Sequence, residues 1–380
     1  MDDFKNTIAF QHLTAQWVST TASIELKSGL YAINIVSHRD NIEFNLDHNF
    51  RRRYIFDRFL YGVVARPQRP PPDNFESKLL KRTHGYAVRY DVDNDMAQLL
   101  SSMTRTGGDY KELHDITEIP VEKPKVEIPV VRLFRLQKRE FFSKSDFVWN
   151  IKIWNDLYTA MRELPDIPFV LSGPPVVLKH EDTFLLTSPK FELDLKTLNR
   201  LRILQAQTEK KEASKSSGPV PPSIDVTFIL DPQTGILKLS VGSPGEYVRV
   251  HLDILFGESF AERFIAQPKT GEALAVESID IVPQEPDQHR TVDLGAGERV
   301  GKSLPIWELA IWPQLVEALK VNRGEKFTIR YPVRVELLGV FDGVPLNDEG
   351  YSIVPYEEIA ELTIDYRTMV QMEKRREASE

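Results

Sequence analysis

The sequence predicts an α+β protein, with a mixed α/β N-terminal half and a predominantly antiparallel, β-sandwich-like C-terminal half. Three observations predict this. Before residue 206, strand-like alternation and helix-like periodicity are interleaved without a regular βαβ rhythm. After residue 223, runs with one apolar and one polar face succeed each other across turn signals. Between them lies AQTEKKEASKSSGPVPPS, residues 206–223, which has no aromatic residue and almost no large aliphatic one. Such a segment cannot bury enough apolar surface to offset the entropy of ordering it, and its Pro-rich end is extended by preference. At 380 residues the chain exceeds what one hydrophobic core usually serves. The expected division is therefore an α+β domain over residues 1–206, a flexible Pro/Ser/Lys-rich linker over 207–222, and a β-rich sandwich-like domain with one helical insertion over 223–380.

In the first half, residues 24–36 read as two strands around Ser28-Gly29, and Ile42, Phe44 and Leu46 alternate with polar residues as a half-buried strand. Asn49 is placed to cap a helix over 51–66 that Pro67 stops. A strand over 86–92, a helix over 95–103 and a strand over 127–136 follow. The clearest helix runs from 146 to 164, where Phe147, Ile151, Trp154, Leu157, Tyr158, Met161 and Leu164 recur at helical spacing. Strands at 168–172, 175–179, 183–187 and 190–194 lead to a helix over 195–207. In the second half Val226, Phe228 and Leu230 turn through Asp-Pro-Gln-Thr-Gly into Leu237, Leu239 and Val241. Strand alternation is expected again over 248–256, 326–337 and 362–372. A helical stretch over 305–321, broken at Pro313, interrupts the series. No internal repeat between the halves is apparent.

Composition excludes several classes. There is no cysteine, which removes disulfides, thiolate metal sites and cysteine nucleophiles and fits a reducing compartment. The start, MDDFKNTIAF, is acidic where a signal peptide is basic, and no segment approaches the length of a membrane span, so a cytoplasmic protein without membrane contact is expected. The net charge of −8, concentrated in the second half, argues against nucleic-acid binding by bulk charge. A local basic patch in the first half would still allow it.

Four constellations are candidates for chemistry. Arg51, Arg52, Arg53 and Arg58 open a predicted helix, where cations oppose the macrodipole and, with free N–H groups, offer an anion site. AGERVGKS resembles a relaxed phosphate loop in which Gly301, Lys302 and Ser303 would meet a nucleotide, but the flanking strands read as antiparallel. Asp91, Asp93 and Asp95 alternate as oxygen ligands of a metal do, although the Gly and Glu of a calcium loop are missing. Asp182 and Asp194 with Lys196 fit a permissive pattern of metal-dependent nucleases. No GxSxG, HExxH or GxGxxG motif occurs.

The sequence does not decide whether the protein is an enzyme. The leading expectation is a non-enzymatic scaffold, assembly subunit or partner-binding protein acting through β surfaces and loops, by self-association or on a protein partner, with no cofactor. The alternative is a phosphate- or nucleic-acid-directed protein, nuclease-like, built on the first half. Limited proteolysis should cut first within residues 206–223; a first cut elsewhere would refute that boundary.

Overall fold

The structure, a computed structural model, describes residues 7–14, 16–45, 63–69, 117–120, 133–173, 176–181, 183–187, 190–213, 224–243, 247–269, 271–274, 290–339 and 352–379. It is α+β, with several antiparallel sheets. The chain divides into two compact units: Met1–Lys138 with Ser143–Pro219, and Arg139–Phe142 with Val220–Glu380.

In the first unit β1 (Thr7–Thr14), β2 (Val18–Glu25) and β3 (Leu30–Ser37) form an antiparallel meander. The β2–β3 turn closes on Gly29, at φ +75°, whose N–H donates to the Glu25 carbonyl at 2.7 Å. Alternation drives burial: Val18, Thr20, Ala22 and Ile24 on β2, with Tyr31, Ile33 and Ile35 on β3, are fully buried. Further strands are β4 (Ile42–Asn45), β5 (Val64–Pro67), β6 (Thr117–Pro120), β7 (Leu133–Leu136) and β8 (Glu140–Phe147). After α1 (Trp154–Glu163) come β9 (Phe169–Ser172), β10 (Val176–His180), β11 (Thr183–Thr187), β12 (Lys190–Leu193) and α2 (Leu195–Ala213). Two more sheets run β6-β11-β10-β4-β7 and β12-β9-β5.

Three sequence expectations change here. The helix expected from 146 begins at Trp154, because Phe147 ends a strand, Val148–Asn150 form a 3-10 turn and the Val148 N–H is taken by the Gly29 carbonyl at 2.9 Å. Residues 64–66, expected at a helix end, pair with β9 instead, with Ala65 buried. Helix α2 runs to Ala213, so the start of the expected linker is helical. The expected elements over 86–92 and 95–103 lie outside the described residues.

The second unit holds β13 (Asp225–Leu230), β14 (Ile236–Ser243), β15 (Tyr247–His251), α3 (Leu252–Phe256), β16 (Ile265–Pro268), β17 (Thr291–Leu294) and β18 (Glu298–Pro305), then α4 (Trp312–Val321), β19 (Lys326–Gly339), β20 (Ser352–Asp365) and α5 (Tyr366–Ser379). Alternation misled twice. Leu252, Leu255 and Phe256 are buried from the short helix α3, not from a strand. Met369 and Met372 are buried from α5, which Asp365 initiates. Pro313 sits in the first turn of α4, where its missing N–H costs nothing, and breaks no helix.

The two units share one plan, contrary to the expectation of no repeat. Among the described residues the main ladders of the second have counterparts in the first: β13–β14 matches β2–β3, β14–β18 matches β3–β8, β15–β17 matches β4–β7, and β16–β19–β20 matches β5–β9–β12. The long β19 serves for both β9 and β10, since it also pairs with β15 as β10 does with β4. Registers agree residue by residue: Val226↔Val241 with Thr20↔Ile35, Arg249↔Asp293 with Glu43↔Arg135, Ala266↔Ile329 with Ala65↔Leu171, and Phe327↔Ile364 with Phe169↔Leu193. With this alignment in hand, FVWNIKIWNDLYTAM lies over PIWELAIWPQLVEAL, VARP over IAQP, and LDLKTL over IDYRTM.

The shared details are physical. Gly235, at φ +72°, closes the β13–β14 turn as Gly29 does, and a Cβ on either would collide with an indole, Trp149 or Trp307. The Gly235 carbonyl accepts the Ile306 N–H at 2.9 Å, as that of Gly29 accepts Val148. Trp154 is buried with its N–H on Gln205 of α2 at 3.1 Å; Trp312 is buried with its N–H on Glu373 of α5 at 2.7 Å.

Gly235→Ala should cost ~1–3 kcal/mol, from left-handed backbone and a displaced indole together. Urea unfolding measures it, with Gly324→Ala, where the Cβ meets nothing, as the control expected to stay within about 0.5 kcal/mol. Equal effects at the two glycines would refute the account.

Candidate functional site

The residues singled out in the sequence do not converge. Arg51, Arg52, Arg53, Arg58, Asp91, Asp93, Asp95 and Asp182 lie outside the described residues. Among the described residues no group of three His, Asp or Glu side chains is placed to hold a metal. Asp194 caps α2: its Oδ1 accepts the Thr197 N–H at 2.7 Å, while Lys196 is exposed. Asp365 does the same for α5, accepting the N–H and the hydroxyl of Thr368 at 2.8 Å each. Those bonds hold the Asp365 carboxyl below the usual range. Asp194 thus occupies a scaffold position that the fold uses twice.

The phosphate-loop reading is corrected. Gly301, Lys302 and Ser303 lie inside β18, paired antiparallel with Ser240, Leu239 and Lys238. The Ser303 N–H donates to the Arg139 carbonyl at 3.0 Å, and the Phe141 ring lies where a Gly301 side chain would be. Lys302 turns inward, donating to the Phe256 carbonyl at 2.5 Å with its ammonium 5.4 Å from the Phe260 ring centre. Extended strand backbone cannot curl its N–H groups around a phosphate.

Sequence reasoning missed a buried ionic cluster in the second unit. Arg290 donates to both carboxylate oxygens of Glu140 at 2.8 Å and through Nε to Asp253 at 2.8 Å. Arg290 and Glu140 are buried. Burial opposes the arginine's charge, but the bonds to Glu140 and Asp253 outweigh it and raise its pKa above the ordinary value. The cluster fastens Arg139–Phe142 to the rest of the unit, and the 150 residues between Glu140 and Arg290 hide it from any local motif.

Among the described residues, the sheet of β13, β14 and β18 ends at β13. On the outer face the Arg299 guanidinium rests on hydroxyls, donating to Thr227 at 2.7 Å and Ser240 at 2.8 Å, and pairs with Asp225. Thr21 and Asn34 hold the corresponding places in the first unit, 3.5 Å apart. Strand β13 terminates the sheet. Its inward residues Val226, Phe228 and Leu230 are only half-buried, and Ile229 is 50% exposed. Their counterparts Thr20, Ala22 and Ile24 are 0–1% exposed.

Set against known proteins, the chain matches no family model, no curated protein and no solved structure. Among the described residues no helix is long and apolar enough to cross a membrane.

Arg290→Met should destabilise the protein by about 3–5 kcal/mol, since it strands a buried carboxylate. The double variant Glu140→Met with Arg290→Met should recover most of that loss in urea unfolding; additive losses would show that the two side chains are not coupled.

Proposed function

We propose that this is a non-enzymatic partner-binding or assembly protein whose two like β modules hold another polypeptide on their sheet surfaces. The observation that carries the reading is the contrast between the units. What recurs in both is scaffold: the turn glycine under a tryptophan, the buried indole with its acceptor, the aspartate cap. Among what differs is the end of a sheet, where apolar side chains of β13 keep some exposure while those of β2 are buried. Half-exposed apolar rows at a sheet end favour chain association over chemistry on a small substrate. Two groups singled out in the sequence, Asp194 for catalysis and Lys302 for nucleotide binding, hold scaffold roles as a cap and within a ladder.

The test is native mass spectrometry of the protein purified gently from its own host. A defined oligomer or a stoichiometric protein partner is expected. A monomer carrying nucleotide, metal or oligonucleotide mass would overturn the reading in favour of a phosphate-directed protein.

A further inference from the structure

We infer that the outer edge of β13 is a strand-acceptor site, which takes an extended, uncharged segment of a separate polypeptide as an added antiparallel strand. The inference rests on the partner-binding reading and names its site and ligand class.

The first unit supplies the template. Strand β2, the counterpart of β13, is flanked on its outer side by β1, which pairs antiparallel with residues 19–25. In the shared alignment those residues correspond to 225–231. Among the described residues, β13 pairs with β14 alone, so its other row of N–H and C=O groups faces no strand. A row of this kind is a ready acceptor for main-chain hydrogen bonds. Strand β20 approaches β13 more closely than β12 approaches β2, but among the described residues no ladder joins β20 to β13, and β20 pairs with β19.

Side chains give the same answer. Where β1 flanks the sheet, the inward row of β2 is fully buried; at β13, with no flanking strand among the described residues, the bulkier inward row keeps some exposure, with Phe228 in place of Ala22. A covering strand would remove that remaining apolar surface from water. The edge also lacks protection. Strand β20, which pairs on one side with β19, carries Pro355, Glu357, Glu358 and Glu361, residues that discourage strand addition. Strand β13 reads DVTFIL, and its one charge, Asp225, is neutralised by Arg299.

The segment of this chain at the place equivalent to β1 is a poor source for the added strand. By position it would come from residues 213–220, ASKSSGPV, ahead of Pro221 and Pro222. That sequence has one β-branched residue, and a proline cannot donate to the ladder. The ligand's chemistry follows from the site. An apolar inward row asks for apolar residues at alternate positions, and a strand whose one charge is already paired offers no partner for a charged segment. The strand that occupies the equivalent edge, TIAFQHLT, carries no charged residue.

The probe is a capped synthetic peptide of that sequence, with a control in which Ile8, Phe10 and Leu13 are replaced by proline. Hydrogen exchange of the full protein is followed with each peptide in excess. The sequence peptide should slow exchange of the β13 amides about tenfold and the control should not. Ile229→Lys, an exposed substitution that leaves the core intact, should weaken peptide binding by about tenfold or more. Unchanged β13 exchange in the folded protein, or protection confined to other segments, would overturn the inference. So would β13 amides already protected without peptide in a protein of dimer mass, since a second copy would then hold the edge. A stable partner seen by native mass spectrometry alongside unprotected β13 would sink this site and leave the partner-binding reading standing.

Discussion

A buried indole with one polar atom sets much of this architecture. Trp154 and Trp312 bury their rings almost completely, and each must find an acceptor for its N–H because an unpaired buried donor costs about 1–3 kcal/mol. The acceptor comes from the last helix of each unit, Gln205 on α2 and Glu373 on α5. Each of those helices must therefore pack beside the helix that the tryptophan opens, and each begins at a capping aspartate directly after a strand. The companion indoles, Trp149 and Trp307, lie flat on a turn where only glycine fits. Hairpin, 3-10 turn, first helix and last helix are thus locked to one another through two tryptophans in each unit.

Around this frame the two units have diverged where physics allows it. The cross-strand ion pair of Glu43 with Arg135 reappears as Arg249 with Asp293, with the charges exchanged. Attraction between opposite strand positions is unchanged by the exchange, so the pair drifts freely. Glu43 also binds Lys179; burial alone would raise its pKa, but the two cations hold it below the ordinary value. In the second unit the position of Lys179 falls on Glu336, within 3.4 Å of His251. The ring of Tyr31 packs on Phe191 in one unit, while Phe228, Phe260, Phe264 and Tyr331 form a larger aromatic cluster in the other. Core volume is filled differently with the same strand order.

Much of the strand content was legible because one face of each strand is polar. Residues 225–243 and 326–337 alternate cleanly, and the turn between β13 and β14 carries glycine where the backbone is left-handed. Alternation failed where a strand runs straight into a helix, as at His251–Leu252 and Asp365–Tyr366, because a few further residues can satisfy both periods. The repeat was hidden by the loops. Equivalent residues keep one separation from Thr20 to Glu43 and another, shorter one from Arg135 to Leu171, because the chain between these blocks differs in length, and the strand register joins the blocks. The candidate site was least legible of all. Lys302 and Asp194 were conspicuous as local patterns, yet a ladder and a cap account for them, while the Arg290 cluster and the open edge of β13 exist only through long-range pairing.

The shared plan of the two units offers a way to separate what folding requires from what it does not. Features kept in both units, such as the left-handed glycine, the paired indole and the aspartate cap, are explained by stability, and none needs a ligand. A feature that differs between units and also costs stability has no such explanation. The charge exchange at Glu43 and Arg249 is neutral by this measure. The end of the second sheet is not. Phe228 stands where Ala22 stands in the first unit, and its ring packs on Phe264, so burial within the unit accounts for it. Ile229 stands where Ser23 stands and is 50% exposed, and packing within the unit gives no reason for an isoleucine there. The proposed added strand would cover part of that side chain.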